Sequence, residues 1–212
     1  LNFRISVKTV GPSLYYSNNY LDLEYIKTQV SLISILKNKF VSSNLKIVTK
    51  SLLISDLVKF VRAIDNKTEL FILEKITKKG HVILDLNLNF DESGSIQDDY
   101  NIKGILKDGK IKILKDINFE KINFLFNLKK NNFLFEEINF TTHKVNFFSN
   151  TLKIKKKKNS FLFNGEINNR KSTFTQKFSK LTKLNLSDFN FKNINFVSKN
   201  NFSFELDTKF KI

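Results

Sequence analysis

Apolar and polar residues alternate along most of the chain after Gly80, and this period of two predicts β-strands. In "HVILDLNLNF" one face carries only apolar side chains, namely Val82, Leu84, Leu86, Leu88 and Phe90. A second run, "INFLFNL", repeats the pattern with Ile122, Phe124, Phe126 and Leu128, and "FLFEEINF" continues it with Phe133 and Phe135. We therefore expect successive strands that share one apolar face.

Turn signals separate these runs at intervals of roughly ten residues, which is typical of an antiparallel meander. "DESGS" (91–95) predicts a turn, and the Asp-Gly pair in "KDGK" (107–110) predicts a two-residue hairpin. The phase of the alternation shifts at Glu136-Glu137, which predicts a β-bulge. Apolar residues recur at short intervals in the final portion, 172–212, which is therefore also predicted to be strand-like.

The first 80 residues hold the helical signals. Residues 1–30 read as extended with a Gly11-Pro12 turn, 31–40 favours a short helix, and 45–54 favours a strand. Within 55–76 we expect two short helices. Ser55 is the predicted N-cap of the first, and its apolar face is predicted to consist of Leu57, Phe60, Val61 and Ile64. The second is marked by Leu70, Phe71, Leu73 and Ile76.

Together these patterns predict a mainly β protein: one continuous antiparallel architecture over 1–212, with a small helical insertion at 55–76. The chain begins at Leu1 and contains no Met, so we expect a fragment of a longer protein. No run of about 18 apolar residues is present, so no membrane-spanning helix is predicted within these residues.

The net charge is +16 among 212 residues, which suits a nucleic acid, an anionic membrane surface or an acidic ligand. Enrichment in Lys, Asn, Ile and Phe is also what AT-rich codons produce, so codon bias is the favoured origin of the charge and a functional origin stays open. Nucleic acid is disfavoured as a partner, because the aromatic residues and the lysines occupy opposite phases of the strands. A base-stacking surface needs both on one face. The densest basic run, "KIKKKKN" (153–159), is interpreted as a soluble hairpin.

Catalytic and metal-binding patterns are not found. There is no Cys, no glycine-rich phosphate loop and no paired-histidine zinc motif, and His81 and His143 are isolated. The carboxylates within 91–99 lack the spacing of a calcium loop and are interpreted as a solvated hairpin. We therefore predict no enzyme activity, no cofactor and no metal.

Three features in order carry a family resemblance: "VSLISILKNKFVSSNLKI", then the helical "SLLISDLVKFVRAIDNKTELFILEKITKKG", then "VILDLNLNFDESGSIQDDYNIKGILKDGKIKI" with strands up to "SFLFNGEINN". The chain resembles the AsmA-like family of bacterial envelope proteins, the group that includes AsmA, TamB and YhdP. The likeness is best over about 20–170.

The resemblance implies a long, twisted, taco-shaped antiparallel sheet whose apolar concave face carries phospholipid acyl chains. It also implies an inner-membrane anchor upstream of this segment, a path across the periplasm toward the outer membrane, and room for an outer-membrane partner protein. The expected lipid-groove residues are then Val82, Leu84, Leu86, Leu88, Phe90, Ile122, Phe124, Phe126, Leu128, Phe133 and Phe135.

The residue pattern by itself leaves two arrangements open. The same apolar positions could form the closed core of a β-sandwich or barrel in a structural or interaction domain without lipid. They could equally form an open groove that a lipid covers. Phase along the sequence does not distinguish a sealed face from an open one.

Overall fold

The structure is a computed structural model that describes residues 3–36, 44–91, 93–114, 117–173 and 194–207. It is mainly β, as predicted, and its strands form one open antiparallel sheet. The strands are β1 (Arg4–Val10), β2 (Ser13–Tyr16), β3 (Asn19–Ser31), β4 (Asn44–Thr49), β5 (Leu52–Leu53), β6 (Thr77–Asn89), β7 (Asn101–Leu114), β8 (Ile117–Lys129), β9 (Asn132–Thr142), β10 (Val145–Lys156), β11 (Ser160–Thr173) and β12 (Asn195–Asp207).

The strand order is β1-β3-β4-β6-β7-β8-β9-β10-β11-β12, with β2 paired beside β3 and β5 beside β6. From β6 onward each strand pairs with its neighbour in sequence, which is the predicted meander. In the part of the chain that the structure describes, β1 and β12 lie at opposite ends of the order, so the sheet does not close. A sealed sandwich or barrel is therefore not the arrangement of these strands.

Three helices interrupt the strands among the described residues: α1 (Leu32–Leu36), α2 (Ile54–Ile64) and α3 (Thr68–Ile76). The two helices predicted within 55–76 are α2 and α3, and the short helix predicted within 31–40 is α1. Residues 65–67 separate α2 from α3, and an ion pair between Arg62 and Glu74 joins the two helices. The helical insertion is confirmed.

The details predicted for α2 are partly wrong. Leu53 occupies the N-cap position, whereas Ser55 lies inside the helix and its hydroxyl donates to Asp56. The buried residues are Ile54, Val58 and Phe60, while two members of the predicted face, Val61 and Ile64, are 36% and 59% exposed. The helix is rotated from the expected orientation, because the side of α2 that carries Ile54 packs against β3, β5 and β6.

The main core lies beneath α2. Its buried members are Leu21, Leu52, Ile54, Val58, Phe60 and Val82. Gly80, whose φ is +141°, makes this contact close: a Cβ there would lie 2.5 Å from Ile54 Cδ1. A side chain at position 80 would therefore force Ile54 to change its packing, and it would also be strained by the positive φ and crowded by Gly109 Cα at 3.0 Å.

The hairpin predicted at 107–110 is wrong, because β7 runs through it without turning. Asp108 has a φ of +53° and its N–H donates to Asn123 Oδ1, while Gly109 lies opposite Ile122 after a shift of register. The left-handed backbone that Asp-Gly supplies suits a β-bulge as well as a hairpin turn. Here β8 pairs along β7 on both sides, and the bulge is the outcome.

Other local predictions are confirmed. Glu137 has a φ of +53° at a register shift between β8 and β9, which is the predicted bulge. Asp91 and Gly94 close the predicted turn after β6. Of the strand-like region 172–212, β12 is a strand, while residues 174–193 and 208–212 lie outside the described residues.

Candidate functional site

One face of the sheet carries an unbroken line of apolar residues across nine adjacent strands, from β3 to β12. Because residues directly opposite each other in paired strands project to the same side, register alone establishes this line. We name it the central row: Ile26, Ile47, Leu86, Ile102, Leu128, Phe133, Ile154, Phe163 and Phe204. The side of the sheet that bears it is called the apolar face below.

A second row runs beside the central row on the same face, and glycine recurs in it. Its members are Leu84, Gly104, Phe126, Phe135, Leu152, Gly165 and Phe202. The ring of Phe126 lies over Gly104, and Phe202 Cζ lies 3.0 Å from where a Cβ of Gly165 would be. Each glycine thus makes room for the phenylalanine of the next strand.

Phenylalanine rings cover much of the apolar face and contact one another. Phe124 meets Phe135 edge to face with ring centroids 5.5 Å apart, and meets Phe126 at 6.0 Å. Farther along, Phe163 and Phe204 stack at 4.8 Å. Such pairs contribute about 0.5–1.5 kcal/mol each beyond their area burial. They fix the rings relative to one another and keep the face continuous.

The apolar face is open away from α2. Eight members of the central row are half-buried and Phe204 is 39% exposed, so they shield each other laterally but are not covered from above. By contrast, Val58 and Val82 are 4% and 5% exposed where helix and sheet meet. Within the described ranges, α2 and α3 cover one corner only.

The predicted groove residues fall into three environments. Leu84, Leu86, Phe126, Leu128, Phe133 and Phe135 belong to the two rows, Phe124 adjoins them, and Leu88 lies opposite Leu45 on the same face. Val82 lies in the core under α2, and Ile122 is 8% exposed opposite Gly109. Phe90 follows the end of β6 and bridges Ile96.

The central row also includes residues that sequence reasoning missed: Ile26, Ile47, Ile102, Ile154, Phe163 and Phe204. Each lies in an alternating segment, so the signal existed in the sequence. Assigning them to this face required the register between strands, which the sequence pattern does not supply.

The opposite face is polar and charged along much of the same strands. Across four strands it presents Lys27, Lys46, Asn87 and Asn101, and an ion pair joins Lys46 Nζ to Asp85 at 3.0 Å. The hydrogen bond to Asp85 is the main cause that raises the pKa of Lys46. A hollow of about 290 Å³ lies on this polar face, whereas the apolar face is an open surface.

Potential metal ligands do not gather among the described residues. Among them, no group of three or more His, Cys, Asp or Glu residues is placed to hold a metal ion. Asp91 Oδ1 accepts hydrogen bonds from the Ser93 hydroxyl and from the N–H groups of Ser93 and Ser95, and the Ser93 hydroxyl is the main cause that lowers its pKa. This carboxylate organises its own loop.

None of the helices in the described ranges has the length and apolar character needed to cross a membrane. When the chain is compared with protein-family models, with curated proteins and with solved structures, none of the three comparisons gives a match. The resemblance to the AsmA-like family therefore stays a prediction.

Proposed function

We propose that this chain is a segment of a lipid-transfer protein, and that its apolar face carries phospholipid acyl chains. The observation that supports this best is the central row, in which nine apolar side chains in nine strands form one half-buried line. A contiguous, partly exposed apolar surface of this kind marks a binding site for an apolar ligand or for a partner.

An acyl chain suits the apolar face for a physical reason. Each CH₂ group removed from water contributes about 0.8 kcal/mol, and the rows offer only aliphatic and aromatic side chains. Since no hydrogen-bonding group lies in the central row, binding follows chain length and not headgroup identity. We therefore expect low selectivity among lipid species. We also expect the bound lipid to move along the face, because no hydrogen bond fixes it at one position.

The proposal requires no catalytic step, because moving a lipid along a surface makes and breaks no covalent bond. No cofactor is needed for the same reason. We propose a place in the bacterial envelope, with the sheet in the periplasm between inner and outer membranes. An upstream inner-membrane anchor and an outer-membrane partner protein belong to this proposal, and both depend on the family resemblance.

A partner protein seated on the apolar face is the competing function. It keeps the idea of a structural or interaction domain but replaces the closed core with a surface completed by another chain. A partner protein packed on the two rows would remove the same apolar surface from water as a lipid would. The two functions differ in what copurifies with the chain and in what a charge on the face disrupts.

The test is native mass spectrometry of the purified chain, with extraction and identification of bound phospholipid. Leu86→Asp and Phe126→Asp place a carboxylate on the apolar face, and we expect each to lower the amount of bound lipid by removing it from around the new charge. The matched control is Leu134→Asp, because Leu134 is also half-buried and apolar but projects from the opposite face, between Asn127 and Lys153. This control should keep its lipid.

Circular dichroism must show that all three variants retain the sheet. Wild-type protein without lipid, or equal lipid in Phe126→Asp and Leu134→Asp, would contradict the proposal. Lipid-free protein that instead holds a stoichiometric polypeptide on the same face would favour the interaction function.

A further inference from the structure

The hollow on the polar face brings together three lysines and several amides. It spans β3, β4, β6 and β7 and has a volume of about 290 Å³. The side chains that matter are Lys27, Lys46, Lys103, Gln29, Asn44 and Asn87. Asp85 is the carboxylate of the lining, so a net charge of +2 remains there.

The lysines lie in an arrangement that is unfavourable without a counter-charge. Lys8, Lys27 and Lys46 are directly opposite one another on β1, β3 and β4. Like charges that face each other across strands destabilise a sheet. An ordinary soluble surface would alternate their signs.

Only part of this charge is compensated within the described residues. Asp85 neutralises Lys46, and Lys8 Nζ lies 4.4 Å from the Tyr25 ring centroid. Lys27 is half-buried, and no described carboxylate lies within 4 Å of its ammonium or of that of Lys103. Two ammonium groups therefore border the hollow without an ion pair among those residues, although Lys103 lies directly opposite Asp85, the carboxylate that pairs with Lys46.

The amides of the lining supply both donors and an acceptor, since Asn101 Oδ1 is buried with no hydrogen-bond partner among the described residues. Asn44 Nδ2 donates to Asn87 Oδ1 and to Asn89 Oδ1, both at 2.7 Å. The carbonyl oxygen of Asn87 is thereby occupied, and no acceptor among the described residues takes its Nδ2 hydrogens. Asn87 thus presents N–H groups beside the two uncompensated lysines.

We propose that this hollow binds a small phosphate-bearing molecule, with Lys27 and Lys103 holding the phosphate and Asn87 donating to it or to a neighbouring hydroxyl. Ammonium groups bind phosphate by charge-assisted hydrogen bonds, and amides complete the oxygen shell. A small ligand fits better than a nucleic acid strand, because the hollow is short and the phenylalanine rows lie on the other face. The site is separate from the apolar face, so it does not depend on lipid transfer.

The test is calorimetric titration of the whole chain with sn-glycerol 3-phosphate and with inorganic phosphate, at ionic strength fixed with sodium chloride. Replacing both lysines, as Lys27→Gln with Lys103→Gln, should weaken binding by about tenfold or more. The control is Lys153→Gln, whose lysine is exposed on the same face but lies on β10 beside Leu134 and Asn164. Its affinity should match that of the wild type.

A stability readout separates a binding role from a structural one. Glycerol phosphate should raise the urea midpoint of the wild type and of Lys153→Gln, but not that of the double variant. Without ligand, the double variant should have nearly the stability of the wild type. Lys27→Gln removes the repulsion from Lys8 and Lys46, whereas Lys103→Gln removes an attraction to Asp85, which lies opposite it.

The two phosphate probes distinguish the source of the ligand. Equal affinities would indicate free phosphate, and tighter binding of glycerol phosphate would indicate a phosphate ester such as a lipid headgroup. The proposal is overturned if neither probe binds at fixed ionic strength, or if the double variant and Lys153→Gln bind equally well. The proposal would also be overturned if the chain binds an oligonucleotide and every lysine replacement weakens that binding equally. The binding would then come from the positive charge of the whole surface and not from the hollow.

Discussion

Single residues decide how closely the strands of the apolar face pack. At Gly104 a Cβ would meet the Phe126 ring and would lie 2.5 Å from the backbone oxygen of Ile83. At Gly165 the nearest atoms are looser, with Phe202 Cζ at 3.0 Å and Thr151 O at 3.1 Å. A ring can rotate away from a new methyl group, but a backbone oxygen in a sheet cannot. The two glycines therefore differ in what they tolerate.

This difference gives a prediction for two matched substitutions. Gly104→Ala should lower the free energy of unfolding by about 1–3 kcal/mol through overpacking, whereas Gly165→Ala should cost less. Urea denaturation monitored by circular dichroism measures both. A Gly104→Ala variant as stable as the wild type would show that the ring and strand β6 can adjust together, against this account.

A second residue-scale feature is the carboxylate of Glu205, which lies on β12 beside the turn between β10 and β11. Lys157 Nζ lies 2.6 Å from Glu205 Oε2, and the Ser160 hydroxyl donates to the other oxygen. The hydrogen bond from Lys157 is the main cause that lowers the pKa of Glu205 from its usual 4.5. A carboxylate with a lowered folded-state pKa stabilises the fold above pH 4.5, and this contribution is lost as pH falls through the folded pKa.

We predict that Lys157→Gln raises the pKa of Glu205 toward 4.5, and NMR titration of the carboxyl group measures it. Lys156→Gln is the matched control, because Lys156 is an exposed neighbour with no ion pair among the described residues. An unchanged pKa in Lys157→Gln, or an equal rise in both variants, would refute the assigned cause. The loss of stability in acid should also be smaller in Lys157→Gln.

At the scale of elements, α2 determines where the sheet is covered. Phe60 is 7% exposed against β3 and β6, while Ile64 on the same helix is 59% exposed. Phe60→Ala should therefore lower the free energy of unfolding by about 3–5 kcal/mol. Ile64→Ala should change it by about 0.5 kcal/mol or less. Urea unfolding distinguishes them, and equal losses would place the buried face of α2 on the side that the sequence pattern predicted.

The sequence pattern predicts the positions of strands and helices better than it predicts how they pair and pack. Alternation located β6, β8 and β9 because a strand with one apolar face has a period of two whatever it pairs with. It mistook the Asp108-Gly109 bulge for a hairpin, since both need the same left-handed backbone. The face of α2 was also mistaken, because Ile54 precedes the window in which the helical spacing is clear.

The candidate site shows the same limit. Leu86, Leu128 and Phe133 were assigned from their own strands, and the structure puts them in one row. Ile47 and Phe163 were missed because they join that row only through the register of β4 with β6 and of β10 with β11. The lysine row on the other face depends on pairing of β1 with β3 and of β3 with β4, which no local pattern encodes.

At the scale of the whole molecule, the two faces of one sheet have different chemistry. The apolar face has a core at one corner, under α2, and continues as half-buried rows toward β12. The polar face carries the lysines and amides of the hollow. Since the sheet is a single layer over most of its described width, a substitution that changes one face by one residue leaves the other face chemically intact.

The continuity of the central row gives the last prediction, which rests on the proposed lipid transfer. If lipid occupies the whole row, a photo-crosslinking residue should capture phospholipid both at Ile47 and at Phe163, which lie on β4 and β11. A single pocket would allow capture at one position only. Both positions belong to the central row, so they project from the same face and sample its two halves.

Phe133→Asp interrupts this row midway, on β9. A carboxylate there opposes the passage of an acyl chain, because the carboxylate would have to lose its hydration when the acyl chain covers it. We therefore expect transfer of a fluorescent phospholipid between vesicles to slow at least about tenfold, since the desolvation cost exceeds the 1.4 kcal/mol that a factor of ten represents. Capture at Ile47 and at Phe163 should persist.

Leu134→Asp, one residue away on the opposite face, should leave the rate unchanged. Loss of capture at both distant positions, or equal slowing by the two variants, would show that the row does not act as a continuous path.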